Sequence, residues 1–157
     1  MKPANNHKRS SGNRQKGAVA VEFAIILPIL ALLLLGTMEV GSITRDYQVL
    51  QNAAREGARF SAIPANQISI SQDPSAVLQT IQNRVVAYLQ SENITVAAGN
   101  VVVDQAYPVQ IGTLTVMGSR VTVQYSRSLV FPGASTLIPS LGSSLQLTGN
   151  AVFRNFY

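Results

Sequence analysis

The sequence contains no cysteine, and charged residues make up only 12% of its 157 residues. The absence of cysteine excludes disulfides and thiol chemistry. The single histidine is His7, and no lysine follows Lys16, so the usual nucleophile–base pairs and histidine–cysteine metal sites have no residues in the rest of the chain. The sequence therefore predicts a protein that is not an enzyme and has no cofactor or metal. A typical soluble domain carries about 25% charged residues, so part of this chain is expected to be embedded in a membrane or buried in an assembly.

The positive charge is confined to the amino-terminal end. No acidic residue precedes Ala18, whereas five basic residues do: Lys2, Lys8, Arg9, Arg14 and Lys16. The seven remaining arginines balance the seven acidic residues, so the body of the protein is neutral. A nucleic-acid-binding protein needs a basic patch on its folded part, and this distribution argues against one. It is typical of the cytoplasmic flank of a membrane span.

A long apolar run follows the basic segment. Between Ala18 and Met38 the only charged residue is Glu22. A helix of this length extends about 30 Å, which matches the hydrocarbon core of a bilayer. Pro28 removes one helix hydrogen bond, which a transmembrane helix tolerates. We therefore predict a disordered leader over residues 1–17 and a transmembrane helix over residues 18–40.

The helix is predicted to continue beyond the span. Small and apolar residues recur every three or four positions, with the charged side chains mostly off this stripe: Ile43, Tyr47, Leu50, Ala54, Gly57 and Ala58. This spacing predicts an amphipathic extension over residues 41–62. The sequence leaves open whether the helix breaks near Gly41-Ser42. The helix is expected to end near Phe60, before Pro64.

The remaining residues, 63–157, are predicted to form an α+β domain. Asp73 and Pro74 are a natural N-cap and first residue of a second helix, whose buried face we expect to be Leu78, Ile81, Val85 and Tyr88 or Leu89. After Asn93 the apolar period changes to two, which predicts an antiparallel sheet. Five segments fit strands, with turns at Gly99-Asn100 and Gly118-Ser119 and a surface loop over "FPGASTLIPSLGSS": "NITVAA", "NVVVDQAY", "TLTVM", "RVTVQYSRSLV" and "SSLQLTGNAVFRNF".

Glu22 admits three explanations. It is a boundary residue that reaches the lipid headgroups, where the cost of a charge is lower than the roughly 2.5–3.5 kcal/mol at the bilayer centre. Alternatively, Phe23–Leu35 is the apolar core of a secretory signal, although the residues after Gly36 form a poor cleavage site. The third explanation is the type IV prepilin pattern, in which a basic leader ends in glycine, here Gly17, and a glutamate is the fifth residue after it.

The third pattern extends to a particular family. "GAVAVEFAIILPILALLLLGTMEVG" and "QNAAREGARFSA" resemble the TadE family, pilin-like proteins of tight-adherence (Tad or Flp) pilus systems. The likeness is strong from Lys16 to about Ala62 and weak beyond, where "LQLTGNAVFRNF" is similar to the family's final strand. The resemblance implies that a prepilin peptidase cuts between Gly17 and Ala18 on the cytosolic side. It also implies that Glu22 pairs with the new α-amino group of a neighbouring subunit during assembly.

The segment "AAREGAR" has two readings. Its small residues allow close packing, and Arg55 and Arg59 lie one turn apart on one helix face. In the first reading this is a solvated charged face beside a tightly packed one. In the second, Arg55, Glu56, Gly57 and Arg59 form a subunit contact.

These observations predict a TadE-like minor pilin or pseudopilin, anchored in the bacterial inner membrane with its amino terminus in the cytosol. Its implied partners are prepilin peptidase, other Tad pilus subunits, the inner-membrane assembly platform and membrane lipid. Two alternatives remain at this point: an uncut, single-span scaffold of a secretion complex, and a soluble binding domain released by signal peptidase.

Overall fold

The computed structural model describes residues 12–68, 73–129 and 143–155. It contains three α-helices and a sheet of three strands. The helices are α1 (Gly12–Ser61), α2 (Ala65–Ile68) and α3 (Pro74–Ser91), and a short 3₁₀ turn, Ala98–Asn100, precedes the sheet. The strands are β1 (Val101–Ile111), β2 (Leu114–Ser128) and β3 (Ser144–Arg154), antiparallel in the order β1-β2-β3. The predicted α+β class, with a long helix, a second helix and then a sheet, is confirmed.

Helix α1 belongs to two units of the chain, one ending at Met38 and the other beginning at Glu39. The helix continues through Pro28 and through Gly41-Ser42, so the possible break near Gly41 is absent. It ends at Ser61, one residue from the predicted end. It begins at Gly12, so residues 12–17 are helical, in contrast to the predicted disordered leader. Residues 1–11 of that leader lie outside the described residues.

In the first unit, the apolar side chains of α1 that the structure describes lie exposed. From Gly17 onward it is long and apolar enough to cross a membrane. Every described side chain from Gly17 to Met38 is exposed, including large ones such as Phe23 and Leu33. Burial of apolar surface is worth about 25 cal/mol per Å², so this stretch needs lipid or other helices around it. It is a candidate membrane anchor.

The second unit has its core between α1, α3 and the inner face of the sheet. Helix α1 contributes a row of small residues to this core, Ala53, Ala54 and Ala58, all fully buried. Val121 and Val123 of β2 and Leu147 of β3 face them from the sheet. Because the small side chains occupy little space, the helix axis lies close to the strands.

Two glycines are needed for this close approach. A Cβ atom on Gly149 of β3 would lie 2.5 Å from the backbone oxygen of Leu50 in α1. A Cβ atom on Gly57 of α1 would lie 2.5 Å from a methyl group of Val85 in α3 and 3.2 Å from one of Val121. The first clash involves backbone, which cannot rotate away, and the second involves side chains.

Helix α3 confirms its predicted start but only part of its predicted face. The Asp73 side chain accepts a hydrogen bond from the Ser75 amide at 3.0 Å, and Pro74 is the first helical residue. Ile81, Val85 and Leu89 are buried as expected. The fourth buried residue is Val77 rather than Leu78. The buried residues of α3 recur at every fourth position, and Val77 lies four residues before Ile81.

The strands are fewer and longer than predicted. "TLTVM" and "RVTVQYSRSLV" merge into β2, and Gly118-Ser119 lies inside it rather than at a turn. The actual turn is Gly112-Thr113, between the paired residues Ile111 and Leu114. Gly112 has φ +64°, which glycine adopts without steric cost. "NITVAA" is not a strand, and most of the predicted "FPGASTLIPSLGSS" loop lies outside the described residues.

A bulge in β1, between Asp104 and Tyr107, is held by polar contacts at the end of α1. Ser61 and Ser119 are fully buried, and their hydroxyl groups form a hydrogen bond with each other. The Gln105 side chain donates to the Ser61 carbonyl oxygen at 3.3 Å, and Asn155 donates to the Gln105 carbonyl oxygen at 3.0 Å. The Asn155 bond satisfies a backbone carbonyl group within the bulge, and the Gln105 bond satisfies one at the end of α1.

We predict that Gly149→Ala destabilises the second unit by about 1–3 kcal/mol, since the added methyl group forces apart the backbones of β3 and α1. The measurement is urea unfolding of the full chain in detergent, followed by circular dichroism. Gly99→Ala is the matched control, because no atom lies within 4 Å of the position that its added methyl group would occupy. Equal stability of the two variants would contradict the close packing.

Candidate functional site

The residues of the predicted cleavage and assembly sites lie in the first turns of α1. Gly17, Ala18 and Glu22 are all exposed, and a Cβ atom added to Gly17 would have no described atom within 4 Å apart from the adjoining backbone of its own helix. Glycine is about 1 kcal/mol less favourable than alanine inside a helix, and helix ends fray. The Gly17–Ala18 bond therefore includes a residue of low helix propensity, and it lies close to Gly12, the first described residue of α1.

Glu22 is the only charged side chain on the exposed apolar surface of the first unit after Gly17. Among the described residues, no hydrogen bond or ion pair engages it. A lone carboxylate on an apolar helix is stabilised when a cation reaches it in surroundings that exclude water. Its exposed position leaves it available to a group from outside the chain.

The "AAREGAR" segment divides between the core and the surface. Gly57 is buried and packs against Val85 and Val121. The guanidinium of Arg84, in α3, donates to Glu56 through Nε at 3.1 Å and through Nη2 at 2.7 Å. The small and acidic members of the predicted contact thus have partners within the chain, and its cationic members, Arg55 and Arg59, are exposed.

Shallow cavities line the exposed side of α1 around these arginines. One of about 500 Å³ is bordered by Arg59, Phe60, Arg84 and Phe153, among others. A second, of about 440 Å³, adds Asn52, Arg55 and Tyr88. A third, of about 310 Å³, continues to Tyr47 and Gln48. Neighbouring cavities share lining residues, including Glu56 and Arg59 for the first two and Arg55 for the last two. The three therefore adjoin along α1, and together we call them the groove.

A cluster of charges at the Glu39 end of the second unit was not predicted from the sequence. Arg127, in β2, forms an ion pair with Asp46 of α1, and its Nε lies 3.7 Å from a carboxylate oxygen of Glu39. The guanidinium also donates to the Ser42 carbonyl oxygen at 3.3 Å and hydroxyl oxygen at 2.9 Å. The side chains of Arg127 and Asp46 are only 12% and 10% exposed. This cluster joins the end of β2 to α1.

One sequence signal identifies Asp46, the carboxylate of this cluster that pairs with Arg127. Asp46 lies four residues before Leu50 and eight before Ala54, which puts it on the buried stripe of α1. The predicted stripe instead contained Tyr47, which is 47% exposed. A carboxylate on the buried face requires a cation there, but spacing alone does not say which of the seven arginines supplies it.

Metal binding finds no support in the described parts of the chain, where no three carboxylate or imidazole side chains come together as ligands. The groove carries arginines with polar and aromatic neighbours, a chemistry suited to contacts between proteins.

Residues 17–59 match the family model described as TadE-like protein. The match begins at Gly17 and ends at Arg59, so it spans the candidate membrane anchor and most of the helix that packs on the sheet. It confirms the resemblance for this stretch. No curated protein and no solved structure matches the chain.

We predict that Arg127→Gln destabilises the second unit by about 3–5 kcal/mol, because it removes the cation that pairs with Asp46 in a largely buried site. Arg120→Gln is the matched control in the same strand, since its pair with Asp104 is more than a third exposed and worth about 1 kcal/mol or less. Urea unfolding of the full chain in detergent measures both. A smaller loss for Arg127→Gln than for Arg120→Gln would contradict a structural role of the cluster.

Proposed function

We propose that this chain, TadE-like over residues 17–59, is a minor pilin or pseudopilin that takes part in assembly of a Tad (Flp) pilus for adhesion or secretion. The observation that carries the proposal is the coincidence of the family match with the architecture of α1. The matched stretch starts at the predicted cleavage glycine, runs through the candidate anchor and ends inside the folded unit.

The charge distribution supports the orientation that this function requires. The five basic residues before Ala18 and the absence of acidic ones favour a cytosolic amino terminus. The unit from Glu39 onward then lies outside the cytoplasm. In this orientation prepilin peptidase reaches the Gly17–Ala18 bond from the cytosolic side and leaves the apolar helix on the mature protein.

In the assembled state the apolar part of α1 exchanges lipid for the helices of neighbouring subunits. Glu22 then pairs with the α-amino group of Ala18 on a neighbour. Both charges are stable in a low-dielectric environment only when they meet, so the pair favours a defined stagger between subunits. Other Tad subunits and the inner-membrane platform are the proposed partners, and the protein acts structurally rather than as a catalyst.

The amino-terminal residue of the mature protein separates this function from its alternatives. Mass spectrometry of the protein purified from membranes of its host is expected to find Ala18 at the terminus. An intact Met1 would instead indicate the uncut membrane-anchored scaffold. A terminus near Thr37 or Ser42 would indicate a soluble domain released by signal peptidase, and either result would overturn the proposal.

We further predict that Glu22→Ala leaves membrane insertion unchanged and lowers incorporation into sheared pili about tenfold or more, because one partner of a buried ion pair is lost. Immunoblots of membrane and pilus fractions measure both quantities. Leu33→Ala, a truncation on the same exposed apolar helix surface, is the control and is expected to retain incorporation within about twofold. Normal incorporation of the Glu22 variant would refute the assembly role.

A further inference from the structure

The groove along α1 has a defined outward surface, which we call the arginine face. It consists of Tyr47, Asn52, Arg55, Arg59 and Phe153. The first four lie on α1, and Phe153 lies near the end of β3. Arg55 lines two of the three adjoining cavities, and so does Arg59. The face belongs entirely to the unit that begins at Glu39.

The two arginines of this face have no carboxylate partner among the described residues. Helix α3 supplies a cation of its own, Arg84, which is already committed to Glu56 and stacks over the Phe60 ring at 4.6 Å. Like charges one turn apart destabilise a helix. The repulsion between Arg55 and Arg59 therefore lowers the stability of the folded unit, and no described carboxylate pairs with either arginine to offset it.

Each described carboxylate side chain of this unit has another partner, including Glu56, which lines two cavities of the groove and is paired with Arg84. Asp73 caps α3, and each of the others lies within ion-pair distance of an arginine that is not on the face: Glu39, Asp46, Glu56, Glu92 and Asp104. Among the described side chains, the carboxylates therefore leave Arg55 and Arg59 to water and to charged groups of other molecules.

The rest of the face suits a protein partner. Phe153 is 38% exposed and Tyr47 is 47% exposed, and exposed aromatic rings beside arginines are typical of the centres of protein interfaces. The Asn52 amide, between them along the groove, both donates and accepts hydrogen bonds, as a polypeptide backbone requires. A symmetric contact with a second copy would bring four arginines together, which like-charge repulsion disfavours.

We propose that the arginine face binds a segment of another protein that presents two carboxylates about one helical turn apart, beside an apolar side chain that packs on Phe153. Each guanidinium makes charge-assisted hydrogen bonds to one carboxylate, and the spacing of about 6 Å between the two positions along α1 sets the spacing of the acidic pair. This binding is a property of the folded unit and does not depend on cleavage after Gly17.

Site-specific photo-crosslinking tests the proposal in the full chain in membranes of its host. Benzoylphenylalanine replaces Asn52 in the groove, or Gln124 as a control on the opposite, exposed face of β2. We expect the Asn52 probe alone to capture one protein, at a segment with two acidic residues three or four positions apart. Arg55→Gln with Arg59→Gln should lower the yield about tenfold or more. Arg45→Gln, an exposed arginine of the same helix paired with Glu92, should change it less than twofold.

A charge exchange makes the test independent of folding defects. Arg55→Glu with Arg59→Glu should abolish the crosslink, and replacement of the captured acidic pair by arginines should restore it. The proposal is overturned by equal capture from Asn52 and Gln124, by a yield that survives the double Gln substitution, or by failure of the exchange to restore the crosslink. Capture of lipid, of a second copy through this face, or of a segment without carboxylates would overturn it as well.

Discussion

The close approach of α1 to the sheet is the constraint on which the folded unit depends. The backbone of α1 at Leu50 contacts β3 at Gly149, where no side chain of any size fits between them. Ala53, Ala54 and Ala58 line the same side of the helix. Small residues let a helix and a sheet meet at backbone distance, and the dispersion attraction between the two surfaces grows with the area over which they touch. The orientation of every other side chain of α1 in this unit follows from this contact.

Two groups of charges acquire different roles from that orientation. Asp46 turns toward the sheet, where Arg127 meets it in a site that largely excludes water. A buried pair of this kind fixes one arrangement of helix and strand, because separation leaves each charge without a partner. Arg55 and Arg59 turn away from the sheet and keep their charges at the surface. One helix thus carries both a largely buried ion pair and the exposed arginines that we propose bind a partner.

The elements with strong local signals were predictable, and those that rely on distant pairing were not. The apolar period and a proline predicted the end of α1 to within one residue. An N-cap and a proline predicted the start of α3. The strands were divided wrongly at Gly118, since glycine within a strand looks like a turn until its neighbours are known. There the extended backbone lies against Val109 and Phe153, which restricts the position to a residue without a side chain. Arg127 could not be assigned because its partners are about eighty residues away in the chain.

The sequence by itself determined the basic amino-terminal charge, the apolar stretch that is a candidate membrane anchor with its single carboxylate, and the α+β class, since charge asymmetry, length and period are local properties of the chain. The TadE-like stretch, residues 17–59, was recognisable for the same reason. Only the tertiary structure decided which face of "AAREGAR" is internal, that Glu56 is neutralised by Arg84, and that Phe153 borders the same groove as Arg55. These relations join residues of α1, α3 and β3, and they exist only once the helix has packed against the sheet.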